Sequence, residues 1–367
     1  MIKIILLIFS FFCLKLNALS TIELKRKMEG YASSYLKSNP SSGVIIGTIR
    51  PDPDNPGQFL TEISSYGTTA VKDGHPLDEQ TIFRIGSITK VFTATLLAHY
   101  IENGEMKLSD PAQKFLPADV HVPTYNTRSI TLLDLATHTS GLPFMPSNFY
   151  RNRAYSLNDM YDYLNRCRLL TPPGRKFTYS NLGYALLATI LVRSGRDSWQ
   201  QLIAQEICDK LKMFDTRVEL SEEQKRRLAT GSRKSGDAVY GYKIEPLHSP
   251  FLGSGGLFSS MSDMLKWLSY NLDIESTELN FLLPIVLQPR KAIQTSRDQS
   301  EMCLGWQYAF LNKSQDLHCH FSEGRIGGYS AFIAFVKTAK NGVVVLTNGE
   351  YSCESLGTKI LKDLNAE

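Results

Sequence analysis

Residues 83–97, FRIGSITKVFTATLL, form the stretch around which the fold and the candidate site of this chain are organised. Apolar residues recur at helical spacing from Ile88 to Leu96, which predicts a helix with a buried face. Ser87 lies where this helix begins and Lys90 follows three residues later, so both side chains project from one face. A partly desolvated lysine can lose its charge and accept the proton of a serine hydroxyl, and free N–H groups at a helix start can stabilise an oxyanion. The spacing therefore indicates a nucleophile and its base within one helical turn.

The same spacing also arises by chance. Ser34 and Lys37 share it on a polar predicted helix near the start of the chain, with nothing around them that suggests chemistry. The assignment of Ser87 and Lys90 as a catalytic pair therefore depends on the other motifs in the sequence.

The composition is that of a soluble globular protein. The chain has 367 residues, of which 43% are hydrophobic and 21% are charged, and this length allows one large or two small domains with a sizeable core. The net charge is +4, and runs of basic residues are no longer than Lys25-Arg26-Lys27. Nothing therefore predicts nucleic-acid binding.

Residues 1–20 predict a secretory signal peptide. Lys3 precedes an apolar run over 4–14, and Ala18-Leu19-Ser20 places small residues at the −3 and −1 positions of a cleavage site. The run is too short to span a bilayer; an uncleaved anchor is the alternative. Cleavage would remove Lys3 and Lys15 and lower the formal net charge to +2.

The cysteines predict no metal site. Those that follow the signal peptide are Cys167, Cys208, Cys303, Cys319 and Cys353, and no two of them form a Cys-x-x-Cys pair. Export would permit disulfides, but the number is odd and the pairing is not evident; buried small hydrophobes are the alternative.

Strand patterns occur near both ends of the chain and helical patterns between them. Hydrophobic alternation and turn residues predict strands at 43–49, 59–66, 304–310, 318–321, 329–336 and 343–347, with a hairpin turn at Asn341-Gly342. Helices are predicted at 22–38, 261–270 and 354–364, besides the helix after Ser87. We therefore predict an α/β (α+β) fold: one domain over residues 21–367, with an antiparallel sheet from about 40–85 and 300–350, flanked by helices and interrupted by a mostly helical region at about 105–300.

Residues 171–184, TPPGRKFTYSNLGY, carry the second candidate motif. A Pro-Pro-Gly turn delivers Tyr179 and Asn181 to the start of an apolar helix. A tyrosine near a lysine cation can shift toward phenolate and exchange protons with a serine or a leaving group, and the asparagine amide can hold the lysine or a substrate amide. Tyr150-Arg151-Asn152 and Tyr163-Leu164-Asn165 share the spacing by chance, but only the copy at 179 follows a rigid turn and opens a helix.

Together with ATHTSGLP at 136–143, these motifs resemble those of the serine β-lactamase and penicillin-binding-protein superfamily, in its class C-like branch. The resemblance covers the whole mature chain and is strongest to AmpH-type D-alanyl-D-alanine carboxypeptidase/endopeptidases, which stretches 122–126, 253–256 and 304–306 also resemble. The glycine run at 253–256 could line a site or form a tight turn before a helix. The resemblance implies the β-lactamase/transpeptidase-like fold, acylation of Ser87, proton handling by Lys90 and Tyr179, and substrate orientation by Asn181.

The family's third motif, Lys-Thr-Gly on a strand beside the serine, is altered in this chain. Gly327-Gly328-Tyr329 fixes the register, so that Ser322, Glu323 and Gly324 correspond to the lysine, threonine and glycine. The cation that helps to hold a substrate carboxylate is missing, and Glu323 adds an anion whose repulsion can cost about 1 kcal/mol or more in a partly desolvated cleft.

The backbone of the third motif is retained. Gly324 still permits close approach, and the resemblance implies that the Arg325 N–H is the second oxyanion-hole donor, beside that of Ser87. Whether the side chains of Arg325 and His320 supply positive charge depends on strand alternation, which the sequence does not fix.

The resemblance predicts a serine acyl-hydrolase, with peptidoglycan peptides as the favoured substrates of a penicillin-binding D-Ala-D-Ala carboxypeptidase/endopeptidase. A class C-like esterase or β-lactamase acting on small esters or amides is the alternative, since the branch contains esterases without Lys-Thr-Gly. A non-catalytic binding homologue is disfavoured because Ser87, Lys90, Tyr179 and Asn181 are all present. The resemblance thus predicts a small peptide, β-lactam or ester as the substrate.

The signal peptide and the resemblance together predict export across the inner membrane to the periplasm. Peripheral contact with the cell wall or membrane is compatible with that location. No metal or organic cofactor is predicted, because side chains and backbone cover proton transfer and oxyanion stabilisation. The sequence does not indicate an oligomeric state.

Overall fold

The computed structural model describes residues 19–39, 43–149, 154–195, 197–233, 235, 237–239, 249–294 and 299–366. Residues 1–18, nearly all of the predicted signal peptide, lie outside the described residues. None of the helices in the described part of the chain combines the length and apolar character needed to cross a membrane.

The helices and strands of the described residues have the bounds that follow. The helices are α1 (Thr21–Ser38), α2 (Thr89–Glu102), α3 (Leu132–Ala136), α4 (Leu157–Leu164), α5 (Asn181–Gly195), α6 (Trp199–Ile203), α7 (Glu222–Arg226), α8 (Leu252–Gly255), α9 (Met261–Leu272), α10 (Leu283–Leu287) and α11 (Glu354–Leu364). The strands are β1 (Val44–Pro51), β2 (Phe59–Tyr66), β3 (Ile82–Arg84), β4 (Phe258–Ser260), β5 (Lys291–Gln294), β6 (Gln299–Met302), β7 (Gln307–Asn312), β8 (Leu317–Ile326), β9 (Tyr329–Val336) and β10 (Asn341–Thr347).

The main sheet is antiparallel and joins both ends of the chain. Its eight strands have the order β2-β1-β10-β9-β8-β7-β6-β5, and β1 pairs with β10 from Val44 opposite Thr347 to Ile49 opposite Gly342. Strands β9 and β10 are buried along their whole length, as their nearly continuous apolar sequences require. The predicted fold class is confirmed.

Helices cover both faces of this sheet. On one face, α1 and α11 pack a small apolar core that includes Leu24, Met28, Ile360 and Leu361. On the other face lies the larger core, to which the helices of the region 89–287 contribute. The site described below lies on this second face, where β8 approaches the start of α2.

Two details of the sheet differ from the sequence prediction. Strand β3 does not join the main sheet, because it pairs with β4 in a separate two-stranded sheet; the region predicted as helical, 105–300, thus contains β4 and β5 and the start of β6. The predicted turn at Asn341-Gly342 is also wrong, since both residues lie within β10 and the turn occupies 337–340.

The misplaced turn has a packing explanation. Lys340 adopts the left-handed conformation that the turn needs, with φ 52°. Gly342 instead serves close packing, because a methyl group on it would lie 2.6 Å from Leu268 of α9. The glycine therefore marks a helix–sheet contact rather than a bend.

The cysteines form no disulfide among the described residues. Cys167, Cys208, Cys303, Cys319 and Cys353 are all free thiols. All except Cys167 are buried, which fits the expectation of buried small hydrophobes.

Candidate active site

The candidate nucleophile lies on a tight turn between β3 and α2. Gly86 takes the left-handed conformation, with φ 51°, and Ser87 follows within a short 3₁₀ turn, Gly86–Ile88, that runs directly into α2. Residues 88–98 are buried, so α2 is a central core helix and not one with a single buried face as predicted. Phe92 stacks on Trp267 of α9 with ring centres 4.1 Å apart. The turn that carries Ser87 is therefore fixed by a helix that is buried along most of its length.

Lys90 is held by contacts from two other helices. Its Nζ lies 3.0 Å from Ser87 Oγ, 2.8 Å from Asn181 Oδ1 and 2.6 Å from the Ser254 carbonyl oxygen. Only 2% of the residue is exposed, and burial lowers the pKa of Lys90 well below its usual value. A neutral amine can donate to Asn181 and Ser254 and still offer its lone pair to the Ser87 hydroxyl. The geometry suits a general base.

Tyr179 faces the same serine. Burial and the nearby Glu323 charge raise the pKa of Tyr179 to about 12, although a hydrogen bond with Ser87 opposes the shift. The Lys90 Nζ lies 4.9 Å from the centre of the Tyr179 ring. The expected shift toward phenolate is wrong, because burial, the largest influence on this phenol, raises its pKa. Tyr179 can exchange protons as a neutral phenol.

Asn181 opens α5 and orients the lysine. Its Oδ1 accepts from Lys90, and its Nδ2 donates to Met145 Sδ at 3.7 Å. Of the two roles that the sequence left open for this amide, holding the lysine is the one visible in the structure.

The Ser254 carbonyl is a site group that the sequence did not identify. The stretch 253–256 covers the last three residues of the short helix α8 and Gly256 after it, and it lines the site through the bond from Lys90 to the Ser254 carbonyl oxygen. The run therefore lines the site as expected, and the alternative of a tight turn directly before a helix is wrong, because the run is itself helical and strand β4 follows it. Every residue has a backbone carbonyl, so the sequence cannot identify one as an acceptor. The glycine-rich composition of 253–256 was the only signal in this stretch.

The third motif approaches the serine through its backbone. A methyl group on Gly324 would collide with the Ile85 carbonyl oxygen and lie 2.8 Å from the Ser87 nitrogen. A methyl group on Gly86 would lie 2.9 Å from the Arg325 nitrogen. The two backbone nitrogens that could form an oxyanion hole, those of Ser87 and Arg325, therefore border the same narrow contact between β8 and the turn.

The side chains of the third motif supply no buried cation. Ser322 is 6% exposed, and Glu323 is half-buried and accepts a hydrogen bond from Ser352 Oγ at 3.4 Å. The side chain of Arg325 is exposed. His320 Nε2 lies 2.9 Å from the Leu287 carbonyl oxygen, and burial lowers the pKa of His320 to about 4. His320 is therefore a packed neutral residue.

No group of His, Cys, Asp and Glu within the described ranges could hold a metal ion. The chemistry that the arrangement supports is acyl transfer: a hydroxyl nucleophile, a neutral amine beside it, a phenol and two backbone N–H groups, all next to Ser87.

The chain belongs to the β-lactamase family, whose model, described as Beta-lactamase, matches residues 61–366. It is thus a member of a family of serine hydrolases that includes carboxypeptidase and β-lactamase homologues.

Two relatives and one solved structure illustrate the likeness. The D-alanyl-D-alanine-carboxypeptidase/endopeptidase AmpH of Escherichia coli (strain K12) is 28% identical over 297 residues, which is 77% of this chain and 74% of that protein. A β-lactamase of Pseudomonas fluorescens is 27% identical over 358 residues, covering 90% of this chain and 94% of that one. The crystal structure of a β-lactamase/D-alanine carboxypeptidase from Yersinia pestis, complexed with citrate, superposes with a TM-score of 0.76 at 26% identity, covering 94% of this chain and 98% of that one.

Proposed function

We propose that this protein forms an acyl-enzyme at Ser87 and acts as a penicillin-binding D-Ala-D-Ala carboxypeptidase/endopeptidase on peptidoglycan peptides. The observation that carries the proposal is the buried Lys90, whose Nζ lies 3.0 Å from Ser87 Oγ with Asn181 and Ser254 as its other partners. The likeness to AmpH supports the substrate class.

In the proposed reaction, Ser87 Oγ attacks the carbonyl carbon of the scissile amide while its proton passes to Lys90. The Ser87 and Arg325 N–H groups stabilise the negative charge that develops on the carbonyl oxygen. When the C–N bond breaks, its electron pair stays on the leaving nitrogen, which takes a proton from Tyr179. The Lys90 ammonium then returns a proton to Tyr179. Water cleaves the resulting ester, and the Ser87 oxygen regains its proton.

The proposal includes export. The apolar run and the small residues at 18–20 support a cleaved signal peptide and a periplasmic location. Mass analysis of the protein recovered from cells would test this directly, because cleavage after Ser20 leaves Thr21 as the first residue.

A second candidate, hydrolysis of small esters or neutral amides, is favoured by the third motif. A D-alanine leaving group carries a carboxylate, and beside Ser87 this chain presents Ser322 and the anion Glu323 where the family resemblance implies a cation. An ester with a neutral alcohol would not meet that repulsion.

The deciding experiment compares covalent labelling with turnover. The mature protein is incubated with a fluorescent penicillin and, separately, with a chromogenic short-chain ester, and intact mass is measured after each. Ser87→Ala is the test variant. Ser34→Ala is the matched control, because Ser34 belongs to the exposed Ser-x-x-Lys copy on α1.

Each outcome selects one candidate. A penicillin adduct that requires Ser87 supports the peptidase, whereas Ser87-dependent ester turnover without an adduct supports the esterase. If folded protein gives neither, both hydrolase proposals fail and a binding role takes their place.

A further inference from the structure

The residues before and after Tyr179 both form a backbone hydrogen bond to His138. The Thr178 N–H donates to the His138 carbonyl oxygen at 2.7 Å, and the Ser180 N–H donates to His138 Nδ1 at 3.1 Å. The backbone one residue before and one residue after Tyr179 is therefore held by the main chain and the ring of the same histidine.

The imidazole ring also lies against the phenol ring. The ring centres of His138 and Tyr179 are 4.3 Å apart with an interplanar angle of 29°, a stacked arrangement. Behind the imidazole, Tyr184 packs at 5.0 Å and Phe177 meets its ring edge-on at 5.9 Å. The imidazole thus sits within an aromatic cluster and has little freedom to rotate.

The state of His138 suits this position. The residue is 2% exposed, and burial lowers the pKa of His138 well below its usual value. The ring is therefore neutral, and since Nδ1 accepts from Ser180, the proton is on Nε2. His138 also adopts the left-handed backbone conformation, with φ 56°, which asparagine and histidine tolerate better than most residues.

We infer that His138 is a positioning residue for the reaction: it holds the Tyr179 hydroxyl where a leaving group can take its proton. This inference rests on the role of Tyr179 in the proposed function. His138 touches neither Ser87 nor Lys90 through a hydrogen bond in the described structure, so it acts only through Tyr179 and its flanking peptides.

His320 provides a natural control. It is also buried and neutral and also stacks on an aromatic ring, that of Phe335, at 5.1 Å and 13°. Its ring nitrogen contacts the Leu287 carbonyl oxygen and not the Tyr179 turn. Substituting His320 therefore removes a packed imidazole that does not contact the turn carrying Tyr179. It measures the effect of losing such a ring by itself.

The test compares two esters with the same acyl group. A 4-nitrophenyl ester has a leaving group that departs without a proton, whereas a methyl ester needs one. For His138→Phe, which keeps a ring but loses the Nδ1 acceptor, we expect kcat/KM to fall by about tenfold or more on the methyl ester and by less than about threefold on the nitrophenyl ester. His138→Asn keeps an acceptor and tolerates the left-handed backbone, and should recover part of the loss. His320→Phe should change kcat/KM for the two esters by the same factor.

The outcomes separate this inference from the proposed function. If folded wild-type protein gives neither a Ser87-dependent penicillin adduct nor Ser87-dependent turnover of either ester, the proposed function fails and the inference falls with it. If wild type is active and His138→Phe and His138→Asn both lower the two kcat/KM values equally, or lower neither, then His138 does not position Tyr179 and only the inference is overturned. A double variant with Tyr179→Phe provides a further check, because His138→Phe should have no additional leaving-group effect in that background.

Discussion

The side-chain nitrogen of Lys90 lies 2.6 Å from the carbonyl oxygen of Ser254. This contact joins α2, which carries the base, to α8, which lies far along the chain. Together with the Asn181 amide oxygen, the carbonyl provides acceptors for the two hydrogens of a neutral amine. The lone pair of Lys90 then has one direction left, toward Ser87.

Replacing Lys90 by methionine should make the protein more stable at neutral pH and inactive. In the folded state the pKa of Lys90 is lowered, whereas in the unfolded chain it returns to about 10.4. Between these two values the unfolded chain binds the extra proton, so the free energy of unfolding of the wild type rises with pH, by at most about 1.4 kcal/mol per pH unit. The free energy of unfolding of Lys90→Met lacks this dependence on pH. The variant's excess stability over the wild type should therefore shrink from pH 7 toward pH 10.

Urea denaturation at several pH values measures this effect. Lys37→Met, at the exposed lysine of the other Ser-x-x-Lys copy, should leave the pH dependence of stability unchanged. A Lys90→Met variant whose free energy of unfolding varies with pH exactly as the wild type does would contradict a neutral buried lysine.

The activity of the wild type should not fall at alkaline pH through ionisation of Tyr179. Burial raises the pKa of Tyr179 to about 12, so the phenol keeps its proton and its function until the pH approaches that value. We expect kcat/KM for the methyl ester to stay level on the alkaline side up to the limit of protein stability, and Tyr179→Phe to lower it by about 100-fold. An alkaline loss of activity near pH 10 that disappears in Tyr179→Phe would show an unshifted phenol.

Gly324→Ala should abolish acylation with little change elsewhere. The new methyl group would collide with the Ile85 carbonyl oxygen and crowd the Ser87 nitrogen, pushing β8 away from the turn and separating the two oxyanion donors. Loss of one such donor lowers kcat by roughly 100- to 1,000-fold. Gly30→Ala on α1 is the matched control, since a methyl group there meets nothing within 4 Å; stopped-flow acylation that is equal in the two variants would argue against the assignment.

The double variant Ser322→Lys/Glu323→Thr should react faster with penicillin. It removes an anion and adds a cation next to the serine, and we expect the acylation rate to rise by roughly tenfold or more. Glu29→Thr/Ser33→Lys makes the same change in net charge at exposed positions of α1 and should have no effect. An unchanged rate in the first variant would mean that Glu323 does not limit carboxylate binding.

The parts of the structure that repeat a local pattern were predictable from sequence. Strands β2 and β9 and helix α11 have the predicted bounds, because their apolar periodicity and turn residues act over a few positions. The side chains of the site, from Ser87 to Asn181, were identified through motifs with fixed spacing, and the structure brings them together.

Groups that depend on distant packing were not predictable. The Ser254 carbonyl is an acceptor that every residue type possesses, and His138 acquires its role only when the turn at 178–180 folds onto it. The shift in the pKa of Tyr179 was predicted with the wrong sign, since the sequence motif does not show how deeply the phenol is buried. The hairpin turn predicted at Asn341-Gly342 was wrong because the glycine accommodates Leu268, a residue on another element.

The pairing of β1 with β10 also constrains the order in which the molecule can fold. Strand β1 of the main sheet has β10 as one of its two neighbours, although nearly the whole of the described chain lies between them. A contact between such distant parts of the chain forms slowly, because a long loop must close before any hydrogen bond is gained. Until residues 341–347 are in place, β1 and β9 each lack a neighbour, and the centre of the sheet has an open edge.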